Sequence, residues 1–244
     1  MTARDEDAQP VGDALPGWRP ARRPGPVVLP GRYCTLEPLD PDRHAADLHA
    51  AYSEAPDDRD WTYLSFGPFR TIEAYRAWAD TAAQSRDPRH FAVVDTATGR
   101  ALGTLALMRQ DPDNGVIEVG TVVLSRALQG TPASTEAQYL LMRHVFEDLG
   151  YRRYEWKCDS LNAPSRRSAL RLGFTYEGTF RQAVVYRGRN RDTAWFSMLD
   201  SEWPRARRAF ERWLRPQNFD AEGMQRERLQ VRAADNLPGC DDAG

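Results

Sequence analysis

The segment Glu118-Val-Gly-Thr-Val-Val-Leu-Ser-Arg-Ala-Leu-Gln129-Gly-Thr-Pro-Ala-Ser134-Thr-Glu-Ala137 opens as a strand and closes as a helix. Alternation puts Glu118, Gly120, Val122 and Leu124 on one side of a strand running from about Val116 to Ser125. A helix then runs from about Ala133 to Leu149 and ends at Gly150. Pro132 suits the first helical position, with Thr131 before it as N-cap. Backbone N–H groups at such a helix start are free to hold a diphosphate. A carboxylate and an anion cradle therefore share one unit. By itself the segment also has a plainer reading, with Glu118 in a surface ion pair and Gln129-Gly130 a simple turn.

Outward from this unit, apolar alternation and helical periodicity exchange places several times, which implies an α+β domain. A first strand spans about Arg32 to Leu39, and helices follow near Arg43–Glu54 and Ile72–Ser85. Strands at His90–Thr96, Ala101–Gln110 and Val116–Ser125 are separated only by turn chemistry, which predicts an antiparallel meander. Beyond the central helix, Arg152–Asp159 reads as a strand and Pro164–Leu172 as a short helix. Two strands, Phe174–Tyr186 and Asp192–Leu199, are joined by Arg187-Gly-Arg-Asn-Arg191. Trp203, Ala206, Phe210, Trp213 and Leu214 mark an amphipathic helix over 202–214.

Six prolines punctuate residues 1–27 and the residues just after them, so 1–27 reads as a tail. Residues 28–215 form the domain, and 216–244 a polar second tail with a short helix near Met224–Ala234. No solenoid repeat is present.

The chain has 244 residues, and its 33 basic and 35 acidic side chains leave a formal charge of -2. No summed field therefore draws it onto nucleic acid or anionic lipid. Arg187, Arg189 and Arg191, or Arg205, Arg207, Arg208 and Arg212, read as solvated faces, and no nucleic-acid partner is expected. Apolar runs are too short to span a bilayer, and no secretory leader is read, so a cytoplasmic protein is expected. Cys34, Cys158 and Cys240 suit reduced thiols, with Cys158 as packing. His44, His49, His90 and His144 lack metal-ligand spacing, so no metal is expected. Serine-elbow and P-loop motifs are missing too.

Two further segments complete a pattern: Asn162-Ala-Pro-Ser165 running into Leu172-Gly173-Phe174, and Tyr176-Glu177-Gly178-Thr-Phe-Arg181-Gln182. With the strand-loop-helix they resemble the Gcn5-related N-acetyltransferase (GNAT) superfamily, its RimJ/RimL-type branch most of all, over about Gly31 to Pro204. The resemblance implies a mixed, mostly antiparallel sheet flanked by helices, its fourth and fifth strands, which end near Ser125 and Asp159, splaying apart around Val122. It also implies acetyl-CoA as cosubstrate in that gap. The pantetheine arm would pair with Val122, Val123 and Leu124, the Val122 N–H would face the acetyl carbonyl, and the pyrophosphate would rest on Gln129, Gly130, Thr131, Ala133, Ser134 and Thr135. Asn162 would bind the arm from the far side, and Ser165 would lie near the sulfur. The implied activity is acetyl transfer to a primary amine, on a small molecule or a peptide or protein N-terminus, by direct attack in a ternary complex. A homodimer is left open.

The chain departs from the family pattern in three places. Pro132 stands where a glycine supplies an N–H, and Ala169 where many members carry a general-acid tyrosine. Val184 stands where the ribosomal-protein enzymes carry an acidic base. By similarity Glu118 becomes the candidate base and Ser165 the candidate proton donor. The hydroxyls of Thr131, Ser134 and Thr135 are the expected substitutes for the lost N–H. These departures also motivate an alternative, a non-catalytic acyl-CoA-binding module. Trp61, Tyr63, Phe66 and Phe69 either line the amine pocket or pack a core.

Overall fold

The computed structural model describes residues 3–4, 9–221 and 223–231. A short antiparallel pair, β1 (Ala3–Arg4) and β2 (Pro10–Val11), stands apart from the main sheet. That sheet contains β3 (Leu29–Pro30), β4 (Cys34–Pro38), β5 (Arg89–Asp95), β6 (Ala101–Asp111), β7 (Val116–Leu124), β8 (Arg153–Asp159), β9 (Thr175–Tyr186) and β10 (Arg189–Leu199). Its order is β3-β4-β5-β6-β7-β8-β10-β9. Every neighbouring pair is antiparallel except β7 and β8, which run parallel with α3 (Pro132–Arg143) between them in sequence. The α+β class and the mostly antiparallel sheet are as expected.

The remaining helices are α1 (Pro41–Ser53), α2 (Ile72–Gln84), α4 (Ala163–Arg171) and α5 (Trp203–Trp213). Asp40 caps α1 by accepting from the N–H groups of Asp42 and Arg43, and Thr71 caps α2 through the Ala74 N–H. One sheet face buries Leu36, Phe91, Leu105, Ile117, Tyr154 and Phe196 in a core shared with α3, α4 and α5. The other face packs Ala92 and Ala101 against Leu48 of α1 and Tyr75 and Ala79 of α2.

Glu136 holds α3 to the first part of the sheet. Its buried carboxylate accepts from the N–H groups of Arg32, Tyr33 and Cys34 at 2.9, 2.6 and 2.9 Å. A Cβ on Gly31 would lie 2.6 Å from that carboxyl, so glycine is needed there for space.

Four local features differ from the sequence-based expectation. The helix expected to reach Leu149 stops as α-helix at Arg143 and continues as a π-helical turn over His144–Leu149. Gly150 then reverses the chain at φ 80°, and its N–H and that of Tyr151 both turn to the Val145 carbonyl. The link Arg187–Arg191 contracts to a two-residue turn at Arg187-Gly188, because both residues take positive φ (48° and 69°) and pairing resumes at Arg189. Alternation along β7 breaks at Thr121, whose φ is 47°. Gly120 pairs with Ala106 but Val123 with Thr104, so one extra residue bulges out and Val123, not Val122 or Leu124, returns to the Glu118 side. Within 224–231 no helix forms, and an isolated bridge joins Phe219 to Gln225. Residues 232–234, the Asn236–Gly239 run and Cys240 lie outside the described residues.

At both ends the chain touches the domain. Arg22 donates its N–H to the Leu149 carbonyl at 2.8 Å, and Leu229 and Val231 are buried in the main core. Val231 packs over Gly173, where the lack of a side chain makes room.

Candidate active site

β7 and β8 share register only from Val116–Val119 and Arg153–Trp156. Beyond Val119 they part, which leaves Gly120 to Leu124 with one main-chain edge unpaired by β8. The bulge at Thr121 lies just past the fork, and among the described residues the Oγ1 of Thr121 and Oγ of Ser125 are buried without a partner. Buried polar atoms left open beside an unpaired strand edge suit a ligand that carries amide and carbonyl groups.

At the fork sits Glu118, 4% exposed, in register with Glu155. Its Oε2 accepts from Lys157 Nζ at 3.0 Å and from Arg109 Nη1 at 3.1 Å. Lys157 Nζ also reaches Glu155 Oε2 at 2.7 Å, Glu155 Oε1 accepts from Arg153 Nε at 2.7 Å, and Arg153 pairs with Glu177 at 2.5 Å. Six charges of alternating sign thus run across β6, β7, β8 and β9. Burial pushes the Glu118 carboxyl above its usual range, while Lys157 and Arg109 pull it back down.

The loop beyond the open edge is partly satisfied by its own side chains. Gln129 Nε2 donates to the Leu124 carbonyl at 2.9 Å, and Tyr52 OH donates to the Val123 carbonyl at 3.2 Å. Thr131 caps α3, accepting from the Ser134 N–H and donating to the Leu128 carbonyl at 2.7 Å. Ser134 Oγ donates to the Thr131 carbonyl at 2.7 Å. The hydroxyl protons of Thr131 and Ser134 therefore face main-chain carbonyls. Thr135 Oγ1 accepts from Arg171 Nη1 at 3.0 Å, and its own proton has no acceptor among the described residues. Among the described residues, the N–H groups of Gly130 and Ala133 carry no hydrogen bond. These donors, with Thr135, fit a diphosphate at the start of α3 even though Pro132 has none. A cavity of about 300 Å³ lies beside this loop, between Tyr33, Asp95, Leu102 and Thr131–Ala133, and none of Glu118, Asn162 and Ser165 lines it.

Across the gap, Asn162 caps α4, its Oδ1 accepting from the Ser165 N–H at 3.1 Å. Ser165 Oγ accepts from Trp156 Nε1 at 2.9 Å and lies within hydrogen-bonding reach of the Cys158 sulfur. Both residues follow β8 directly. The structure thus sets Glu118 at the fork, Val122–Leu124 on one lip, Asn162 and Ser165 after the other, and Gln129–Thr135 at the outer end. Cys158 is buried, and burial raises its thiol pKa, as packing requires and a nucleophile does not.

The connection between α1 and α2 arches over this region. Asp60 pairs with Arg126 at 2.9 Å, Tyr63 OH donates to the Leu161 carbonyl at 3.1 Å, and Arg187 donates to the carbonyls of Phe66 and Gly67 at 3.0 and 2.6 Å. Trp61, Phe66 and Phe69 pack on one another and on Tyr52 and Trp78, with Trp61 buried and Phe66 and Phe69 part-exposed. Tyr63, outside that cluster, bridges to the β8 side. Sequence reasoning did not find Lys157, Arg109 or Tyr52. A signal for Lys157 was present: of the 33 basic residues in the chain it is the one lysine.

A sheet forked between two parallel strands, with a buried carboxylate at the fork and a helix start beyond it, is the architecture of an acyltransferase. Residues 34–175 match the family model described as an acetyltransferase (GNAT) domain. A crystal structure of a GCN5-related N-acetyltransferase from Brucella melitensis is 49% identical, covering 88% of this chain and 97% of that one with a TM-score of 0.86. An uncharacterised N-acetyltransferase, p20, of Bacillus licheniformis is 28% identical over 58% of this chain and 80% of its own length. The fold also matches RimL, a ribosomal L7/L12 alpha-N-protein acetyltransferase, at 21% identity and a TM-score of 0.61, over 71% of this chain and 94% of that one. The chain belongs to the GNAT acetyltransferase family and is an N-acetyltransferase. Among the described residues no helix is long and apolar enough to cross a membrane, and no group of three acidic, histidine or cysteine side chains is placed to hold a metal.

Proposed function

We propose that the protein transfers the acetyl group of acetyl-CoA to a primary amine, on a small molecule or a peptide or protein N-terminus, by direct attack within a ternary complex. The observation that carries this reading is the fork itself, where pairing of β7 with β8 ends at Val119 beside the buried Glu118. Acetyl-CoA would lie along Val122, Val123 and Leu124, with its pyrophosphate on Gly130, Ala133 and Thr135 and with Asn162 on the facing side. The Val122 N–H, just past the bulge, would polarise the acetyl carbonyl as charge develops on its oxygen.

Glu118 takes the proton that the attacking amine sheds, directly or through water. The demand on it is modest for an α-amine of pKa about 7.8, roughly one-seventh neutral at pH 7, and severe for an alkyl amine of pKa about 10.4. Ser165 protonates the departing thiolate, a tolerable leaving group because its thiol pKa is near 8.5. Only the ionised form of Glu118 accepts a proton, so turnover rises with pH through the pKa of that carboxyl, which burial raises. Family membership favours turnover over the non-catalytic alternative. The test is thiol release from acetyl-CoA across a panel of N-terminal peptides, polyamines and amino sugars. Acetyl-CoA binding without release on any amine contradicts the proposal.

A further inference from the structure

The chain has one lysine among 33 basic residues and otherwise uses arginine throughout. Lys157 is the first β8 residue past the fork, and its side chain is 5% exposed. Its Nζ lies 3.0 Å from Glu118 Oε2, 2.7 Å from Glu155 Oε2 and 3.7 Å from the centroid of the Trp195 ring. Phe180 stacks on Trp195 at 4.5 Å. Two carboxylates and an aromatic face thus enclose a point charge, and the wider planar fork of an arginine would have to displace one of them.

We propose that Lys157 is a positioning residue: from the second lip of the gap it holds the Glu118 carboxylate ionised and oriented at the fork, and the compactness of an ammonium is what the place requires. This rests on Glu118 being the proton acceptor. The groups facing Glu118 are Arg109 from β6 and Lys157 and Glu155 from β8, with Arg153 of β8 and Glu177 of β9 beyond Glu155. Arg109 is half exposed, so its charge is screened by water and Lys157 is the dry partner. Glu155 repels Glu118 and is itself neutralised by Lys157 and Arg153. Loss of Lys157 therefore removes an attraction and unmasks a repulsion at once, and both raise the pH at which Glu118 ionises.

The experiment is a pH–rate profile for Lys157→Met and Lys157→Arg, each alone and combined with Glu118→Gln. For Lys157→Met the acid limb of kcat should move up by about one pH unit or more. For Lys157→Arg, which keeps the charge, the limb should stay near its original pH while kcat falls. In the Glu118→Gln background, Lys157→Met should lower kcat by less than about 3-fold, since its effect passes through the missing carboxylate. An unmoved acid limb in Lys157→Met overturns the proposal, as does an undiminished loss in the Glu118→Gln background. If Glu118→Gln alone leaves turnover and its pH profile intact, the proton-acceptor reading fails instead. The Lys157→Arg variant carries the test if the methionine variant does not fold.

Discussion

The same face of the sheet is dry under α1 and α2 and charged a few strands away. Over β5 and β6 it buries Ala92 and Ala101 against Leu48, Tyr75 and Ala79, and Tyr52, Trp61, Phe66, Phe69 and Trp78 interlock at its margin. Over β7, β8 and β9 it carries Glu118, Lys157, Glu155, Arg153 and Glu177, with Arg109 at the near end. The dry half has two helices for cover, and in the charged half Trp195, with Phe180 stacked on it, lies over Lys157. Buried charges are costly unless each is paired, and here they are paired in series, so the charged half can stay desolvated for chemistry without collapsing. Stability should therefore reside mainly in one half and rate in the other.

The largest effect expected from breaking that division is on rate. Glu118→Gln should lower kcat by about 100-fold or more at neutral pH, read by steady-state thiol release. An unchanged kcat removes Glu118 from the proton-transfer role. On the dry side, Leu48→Ala should cost about 3 kcal/mol, a fall in Tm of roughly 10 °C, with kcat at low temperature kept within about 2-fold. A comparable fall in kcat would mean that the two halves are not separable.

His90 sharpens the contrast by pH. Burial against Trp78 lowers its pKa from 6.5 to about 4, and its Nδ1 has no partner among the described residues. Below pH 6.5 the unfolded chain binds a proton that the folded chain refuses until about pH 4. Stability should therefore fall with acid across that window, by about 2 kcal/mol at pH 5. Urea melts of His90→Phe should lose this part of the slope, and an identical slope would assign it to other groups. The smallest effect is at the boundary. Tyr52 reaches from the dry side to Thr104 Oγ1 and the Val123 carbonyl, at 3.3 and 3.2 Å. Tyr52→Phe should cost about 1 kcal/mol of stability. It should also change KM for acetyl-CoA more than kcat, because the carbonyl it releases lies on the proposed binding lip.

Local chemistry made much of this legible. The strand, the Thr131-Pro132 helix start and the antiparallel meander each depend on neighbours a few residues apart, and each stands where the sequence puts it. A bulge adds a residue without changing composition, so strict alternation carried Val122 and Leu124 to the wrong side past Thr121. The partners of Glu118 and Glu136 are contributed from other elements, as far as 104 residues away for Arg32 and Glu136, and no periodicity announces them. The π-helical turn before Gly150 likewise leaves no mark, since the residues that widen are ordinary helix formers.

Having its single lysine walled into the sheet also gives the chain an unusual proteolytic signature. A protease that cuts only after lysine meets one bond, Lys157–Cys158 in the middle of β8, and cannot engage it until that strand leaves its neighbours. Digestion by such an enzyme would yield two fragments and would report the opening of the forked sheet directly, with no background from loops or ends.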